Sequence, residues 1–105
     1  ELAFTKRAVH PIAEVFGVEP KKLVRAAELL NGIEVKYGDT AVEIPALPRV
    51  PLTYLLWRKS EEFPASSAIL LDASASNYLP TEDLAVLGEI TTIRLKSTLD
   101  YLIRD

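Results

Sequence analysis

The chain has no cysteine, no methionine, a single histidine and few glycines. Without cysteine there can be no disulfide, thiolate zinc site, cysteine-ligated iron–sulfur cluster or thiol nucleophile within it. The one imidazole, His10, stands beside Pro11 and far in sequence from other candidate chemistry. It reads as a structural residue rather than as a base or an axial ligand. Neither a glycine-rich phosphate loop nor a G-x-S-x-G elbow is present, so nucleotide cradling and serine hydrolysis have no motif to rest on. Basic runs are missing as well. Lys6-Arg7 and Lys21-Lys22 are only pairs, and the net charge is −3, which argues against nucleic acid and anionic membrane as partners. No window is long and apolar enough to span a bilayer, and the N-terminal stretch does not resemble a signal peptide. The expected location is cytoplasmic. Because the sequence starts at Glu1 without methionine, a fragment or trimmed chain of a longer protein is expected. No catalytic residue, metal or cofactor is assigned.

What is present suits one domain over residues 1–105, with 49% apolar residues to build a core. Apolar positions at Ala8, Val9, Ile12, Ala13 and Phe16 have helical spacing, with Pro11 forcing either a kink or a start nearby. A second helix begins at Pro20, with Val18 and Leu23 placed to staple its entry. It ends at Asn31-Gly32, where the glycine is expected to turn left-handed. Ile33, Val35 and Tyr37 then alternate with polar residues, as do Thr40, Val42 and Ile44. Gly38-Asp39 between them suits a two-residue hairpin turn that pairs Tyr37 with Thr40, Val35 with Val42 and Ile33 with Ile44. Pro45, Pro48 and Pro51 predict an extended connector. Residues 52–57 and 68–71 read as strands buried on both faces, separated by the polar loop 59–66. A small-residue loop over 73–80 leads to a long helix over about 82–103. Its leucines Leu84, Leu87, Leu95, Leu99 and Leu102 share one side, widened by Ile90 and Ile93, and Asp100 and Arg104 are ordered for an i,i+4 pair. The pattern predicts an α+β fold: a small antiparallel or mixed sheet of about four strands, packed against two N-terminal helices and one long C-terminal helix.

Residues 45–89 carry a proline-rich lead-in, PLTYLLWR, EEFP, ILLD and YLPTEDLAVLGE, in that order. In this combination the segment resembles the conserved C-terminal part of the family known as domain of unknown function 3786. The resemblance implies an origin in anaerobic bacteria or archaea. It also implies a context near metallo- or corrinoid enzymes, since some relatives join the domain to a small iron–sulfur module. No module of that kind is present here. The family brings no catalytic residues to carry over.

Within the signature, the candidate ligand or partner patch comprises Trp57, Glu61, Glu62, Phe63, Asp72, Tyr78 and Asp83. The carboxylates offer hard oxygen ligands or a perturbed acid, and Asp72, at the end of an apolar run, is expected to be partly buried. If the two signature strands are antiparallel neighbours, Asp72 and the Glu61/Glu62 loop fall at opposite ends of the ladder. Trp57, Tyr54, Phe63 and Tyr78 are candidates for an apolar pocket or partner surface. Ser74, Ser76 and Thr81 lie near a helix N-terminus, but Glu82 and Asp83 would repel an anion there. Arg49 and Arg58 read as surface ion-pair partners. Two functions follow as expectations. The first is a non-catalytic binding or accessory domain associated with a metallo- or corrinoid enzyme system, acting on a protein partner or as a homodimer through the C-terminal helix. The alternative is a small enzyme or ligand-binding protein with a carboxylate-lined site in the loops after the two buried strands.

Overall fold

The computed structural model describes residues 2–104 of the chain. The first helix, α1, opens as a short α-turn (Leu2–Phe4), widens into a π-helical stretch (Thr5–Val9) and continues as α-helix (His10–Phe16). The widening explains how Pro11 is accommodated without a break. Proline has no N–H to donate, and its ring crowds the carbonyl four residues back. In the wider turn the His10 N–H reaches Thr5 O instead. His10 is therefore inside the helix and not ahead of it.

Helix α2 (Pro20–Leu29) starts on its proline as expected. The predicted staple is not formed, because Val18 is 86% exposed while Leu23 is fully buried. Glu19 instead pairs with Lys22 at 3.1 Å across the first turn. At the other end it is Asn31, not Gly32, that adopts the left-handed conformation, with φ 66°. The Gly32 N–H bonds Ala27 O at 2.7 Å and the Asn31 N–H bonds Glu28 O at 3.1 Å, a Schellman-type closure. Gly32 serves close approach: an added Cβ would lie 2.8 Å from Glu43 O and 2.9 Å from Ala27 O.

Four strands, β1 (Ile33–Val35), β2 (Thr40–Leu47), β3 (Val50–Trp57) and β4 (Ser66–Leu71), form an antiparallel sheet in sequence order. The β1–β2 register differs by one residue from the two-residue-turn pairing, with Ile33 opposite Glu43 and Val35 opposite Ala41. The turn is longer than two residues. Gly38 takes a positive φ of 59° in it, and the Trp57 indole lies so close that a Cβ would meet Nε1 at 2.9 Å. A one-residue slip moves every side chain to the other face, so Ile33 and Val35 lie opposite to Val42 and Ile44, and Ile33 is exposed. The proline-rich stretch is not a connector. Pro45 and Pro51 face each other within the β2–β3 hairpin. They do so where those strands have outrun β1 and β4, so a missing donor on the outer side breaks no ladder bond.

The long helix α3 (Thr81–Arg104) follows a 3₁₀ turn (Ala73–Asn77). All three helices lie on one side of the sheet. The later part of α1 covers β4 and β3, α2 covers β2 and β1, and α3 packs across α2 and the early part of α1. Ile12, Phe16, Leu23, Val42, Leu52 and Leu56 are buried between these layers, with Leu95 and Leu99 contributed by α3. Among the described residues no helix is packed on the second sheet face. β4 is therefore not buried on both faces: Leu70 lies on the uncovered face and is half-exposed, while Leu71, opposite Leu52 on the helix side, is open because it ends an edge strand. The side chain of Arg104, and with it the Asp100–Arg104 pair, lies outside the described residues.

Candidate functional site

The loop between β3 and β4 is built around Ser60. Its Oγ accepts the Phe63 N–H at 3.0 Å, and its own N–H donates to Phe63 O at 2.9 Å. This closure holds Glu61 and Glu62 at the apex, both exposed, and leaves Phe63 69% exposed. The Arg58 N–H donates to Asp39 Oδ2 at 2.9 Å, which fixes the base of the loop against the β1–β2 turn beside Trp57. The Arg49 and Arg58 side chains make no ion pair among the described residues.

Asp72, Tyr78 and Asp83 lie elsewhere. Trp57 pairs with Ser66 and Leu52 with Leu71. The antiparallel ladder therefore places the Glu61/Glu62 loop at one end and Asp72 at the other. Of the seven candidates, the fold keeps Trp57, Glu61, Glu62 and Phe63 near one end of the β3–β4 ladder. Asp72, which follows β4 directly, belongs to the other end, with Tyr78 and Asp83 on the chain that follows it. Among the described residues no group of three or more His, Asp and Glu side chains could hold a metal ion.

Asp72 is exposed, not partly buried, because the strand it ends is an edge. Its carboxylate caps the 3₁₀ turn: Oδ2 accepts from the Ser74 hydroxyl and from the Ser74 N–H, the latter at 3.0 Å. These two bonds, the hydroxyl first, hold its pKa below the usual aspartate range. A lowered pKa means that the stabilisation is present above the unfolded-state value and is lost as pH falls through the folded one. Ser74→Ala is expected to raise the Asp72 titration midpoint toward the ordinary value of about 3.9. Carboxyl carbon NMR would show it, and an unmoved midpoint would mean that the serine does not hold the charge.

Two features escaped the sequence reading. One is a buried hydroxyl cluster. Tyr54 Oη lies 3.2 Å from Gly88 O, to which it donates, and 3.0 Å from Thr92 Oγ1, while Thr92 Oγ1 donates to Ala8 O at 2.7 Å. Burial pushes the Tyr54 phenol well above its ordinary pKa. Every buried side-chain polar atom among the described residues has a hydrogen-bond partner, the members of this cluster included. No local pattern announces it, since its contacts span 34 to 84 positions of the chain.

The second feature is the outward side of α3. Val86 (51%), Ile90 (48%), Ile93 (60%) and Tyr101 (65%) are exposed there, while Leu84, Thr92, Leu95 and Leu99 are buried on the opposite side. Ile90 and Ile93 thus do not widen the core stripe. They belong to a second apolar face pointing away from it. The spacing was visible in the sequence, but not which of two apolar faces would meet the sheet. An open apolar depression of about 170 Å³ lies between Phe4, Leu71, Thr81, Leu84 and Ala85, and a wider open one of about 680 Å³ lies beside the Ser60 loop, lined by Gly17, Val18, Arg58, Lys59 and Glu61. His10 borders a shallow groove with Glu14, Ser66 and Ser67.

A small α+β domain with closed polar contacts and open apolar surface is the class that this geometry defines. The family model for a domain of unknown function (DUF3786) matches residues 1–94, and the chain belongs to that family. No curated protein and no solved structure matches it. No helix among the described residues is long and apolar enough to cross a membrane.

Proposed function

We propose that the chain is a non-catalytic binding domain that acts through protein contacts made by the outward face of α3. Its setting, on the family resemblance, is accessory to a metallo- or corrinoid enzyme system in the cytoplasm of an anaerobic bacterium or archaeon. The observation that carries the reading is the second apolar face. A surface helix normally shows one apolar stripe and a polar back, and a contiguous exposed apolar strip marks an interaction site. Here Val86, Ile90 and Ile93 occupy the back of a helix whose core side is already filled by Leu84, Leu95 and Leu99. The buried side-chain polar atoms point the same way, because among the described residues each already has a hydrogen-bond partner. The face takes a protein partner, another copy of the chain included.

The test compares wild type with Ile90→Glu/Ile93→Glu. Both positions are exposed, so the double variant is expected to keep its fold by circular dichroism. Quantitative cross-linking in a native extract is expected to join α3 of the wild type, and not of the variant, to a protein partner at stoichiometric yield. Equal cross-linking of both proteins would overturn the reading.

A further inference from the structure

We infer that the partner on the outward face of α3 is a second copy of the same chain, with the two α3 helices antiparallel and centred between Ile90 and Ile93. The inference rests on the binding-domain reading and adds the occupant and its register. Val86, Ile90, Ile93 and Ser97 are spaced four, three and four residues apart and are all exposed, the arrangement of a helix–helix seam. An antiparallel pair about this centre sets Ile90 against the partner's Ile93 twice, and Val86 against the partner's Ser97 twice. Shifting the register by one heptad brings Asp83 or Asp100 opposite an isoleucine.

Charge selects the same register. Glu89 and Lys96 flank the seam on one side, and neither makes an ion pair among the described residues of its own chain. In the antiparallel pair, Glu89 of one copy falls beside the partner's Lys96, and two-fold symmetry makes that contact twice. A parallel pair would need Arg94 in place of Lys96. Arg94, however, lines a groove on its own domain with Leu30, Asn31 and Pro45. Antiparallel helices also set opposite dipole ends side by side. Asp83 would face the partner's Asp100 at each end of the seam, which favours helices that cross and diverge beyond their centre.

The contact is modest in area. A helix of 24 residues is about 36 Å long and about 10 Å wide, so its face covers on the order of 400 Å². That is below the roughly 800 Å² per partner of a standard interface. A concentration-dependent dimer is expected, not an obligate one.

Sedimentation velocity of the full chain over a concentration series tests this. Wild type is expected to show a reversible monomer–dimer equilibrium. Glu89→Lys and Lys96→Glu should each weaken it by about tenfold, since each turns two attractive pairs into repulsive ones. Mixing the two single variants should restore dimer as a heterodimer, because the mixture recreates opposite charges at both contacts. A wild type that stays monomeric at millimolar concentration would overturn the inference, as would a dimer indifferent to both charge changes. Either failure, with Ile90→Glu/Ile93→Glu still abolishing cross-linking to another protein, leaves the binding-domain reading standing. If the double variant changes neither measurement, both fall.

Discussion

Tyr54→Ala is expected to destabilise the domain by about 3–5 kcal/mol, the range for truncating a large buried aromatic. Tyr54 is among the largest fully buried side chains and lies in the middle of β3. Its ring fills space between sheet and helices, and its single hydroxyl proton is shared between Gly88 O at 3.2 Å and Thr92 Oγ1 at 3.0 Å, the Thr92 proton being given to Ala8 O. Truncation leaves both a void and unpaired acceptors, and the two losses can be separated. Tyr54→Phe retains the ring and removes only the hydroxyl, so about 1–3 kcal/mol is expected. Chemical denaturation of both variants would measure the partition. If Tyr54→Phe costs as much as Tyr54→Ala, the hydroxyl cluster and not the packing holds the layers together. If Tyr54→Phe costs nothing, the cluster is incidental. Because burial raises the Tyr54 pKa, its contribution is present below the ordinary phenol value of about 10 and declines as pH rises past it.

The second large effect is at Phe16, the last residue of α1, buried among helix and strand side chains. Phe16→Ala is expected to cost about 3–5 kcal/mol. That is a large part of a typical net stability of about 5–15 kcal/mol, and the melting temperature should fall by roughly 10–30 °C. Val18→Ala, two positions on, serves as the control. Val18 is 86% exposed, and its truncation should change stability by less than about 0.5 kcal/mol. Thermal melts of both variants decide the matter, and a large loss at Val18 would show that a staple across the start of α2 exists after all.

Much of the architecture was legible because it is local. Pro20 marks the start of α2, apolar alternation marks β2, and the long 3.6-residue pattern marks α3. Failures came where a non-local choice decided between local options. Gly38-Asp39 suited a tight turn, but the Trp57 indole packs on Gly38 and the wider turn moves the register by one. The prolines argued against a strand until the unequal lengths of neighbouring strands gave them free sides. Residues 68–71 look buried by composition, yet strand order puts them at an edge. For the candidate patch, the sequence indicated the separation of Asp72 from Glu61 and Glu62 through antiparallel pairing. It did not show that α3 has two apolar faces, because a wheel of leucines and isoleucines does not say which of them the sheet will select.

The hydrogen bond from Thr92 to Ala8 spans 84 positions of the chain, whereas every strand pairs with its neighbour in sequence. This contrast permits an order of assembly. A polypeptide leaving the ribosome can zip its four strands and lay α1 and α2 over them while α3 is still being made. Throughout that interval the Tyr54 phenol has neither of its partners, since both Gly88 and Thr92 belong to the helix yet to emerge. Arrival of the last helix is therefore a latch: it seals a polar gap in an otherwise formed hydrophobic layer.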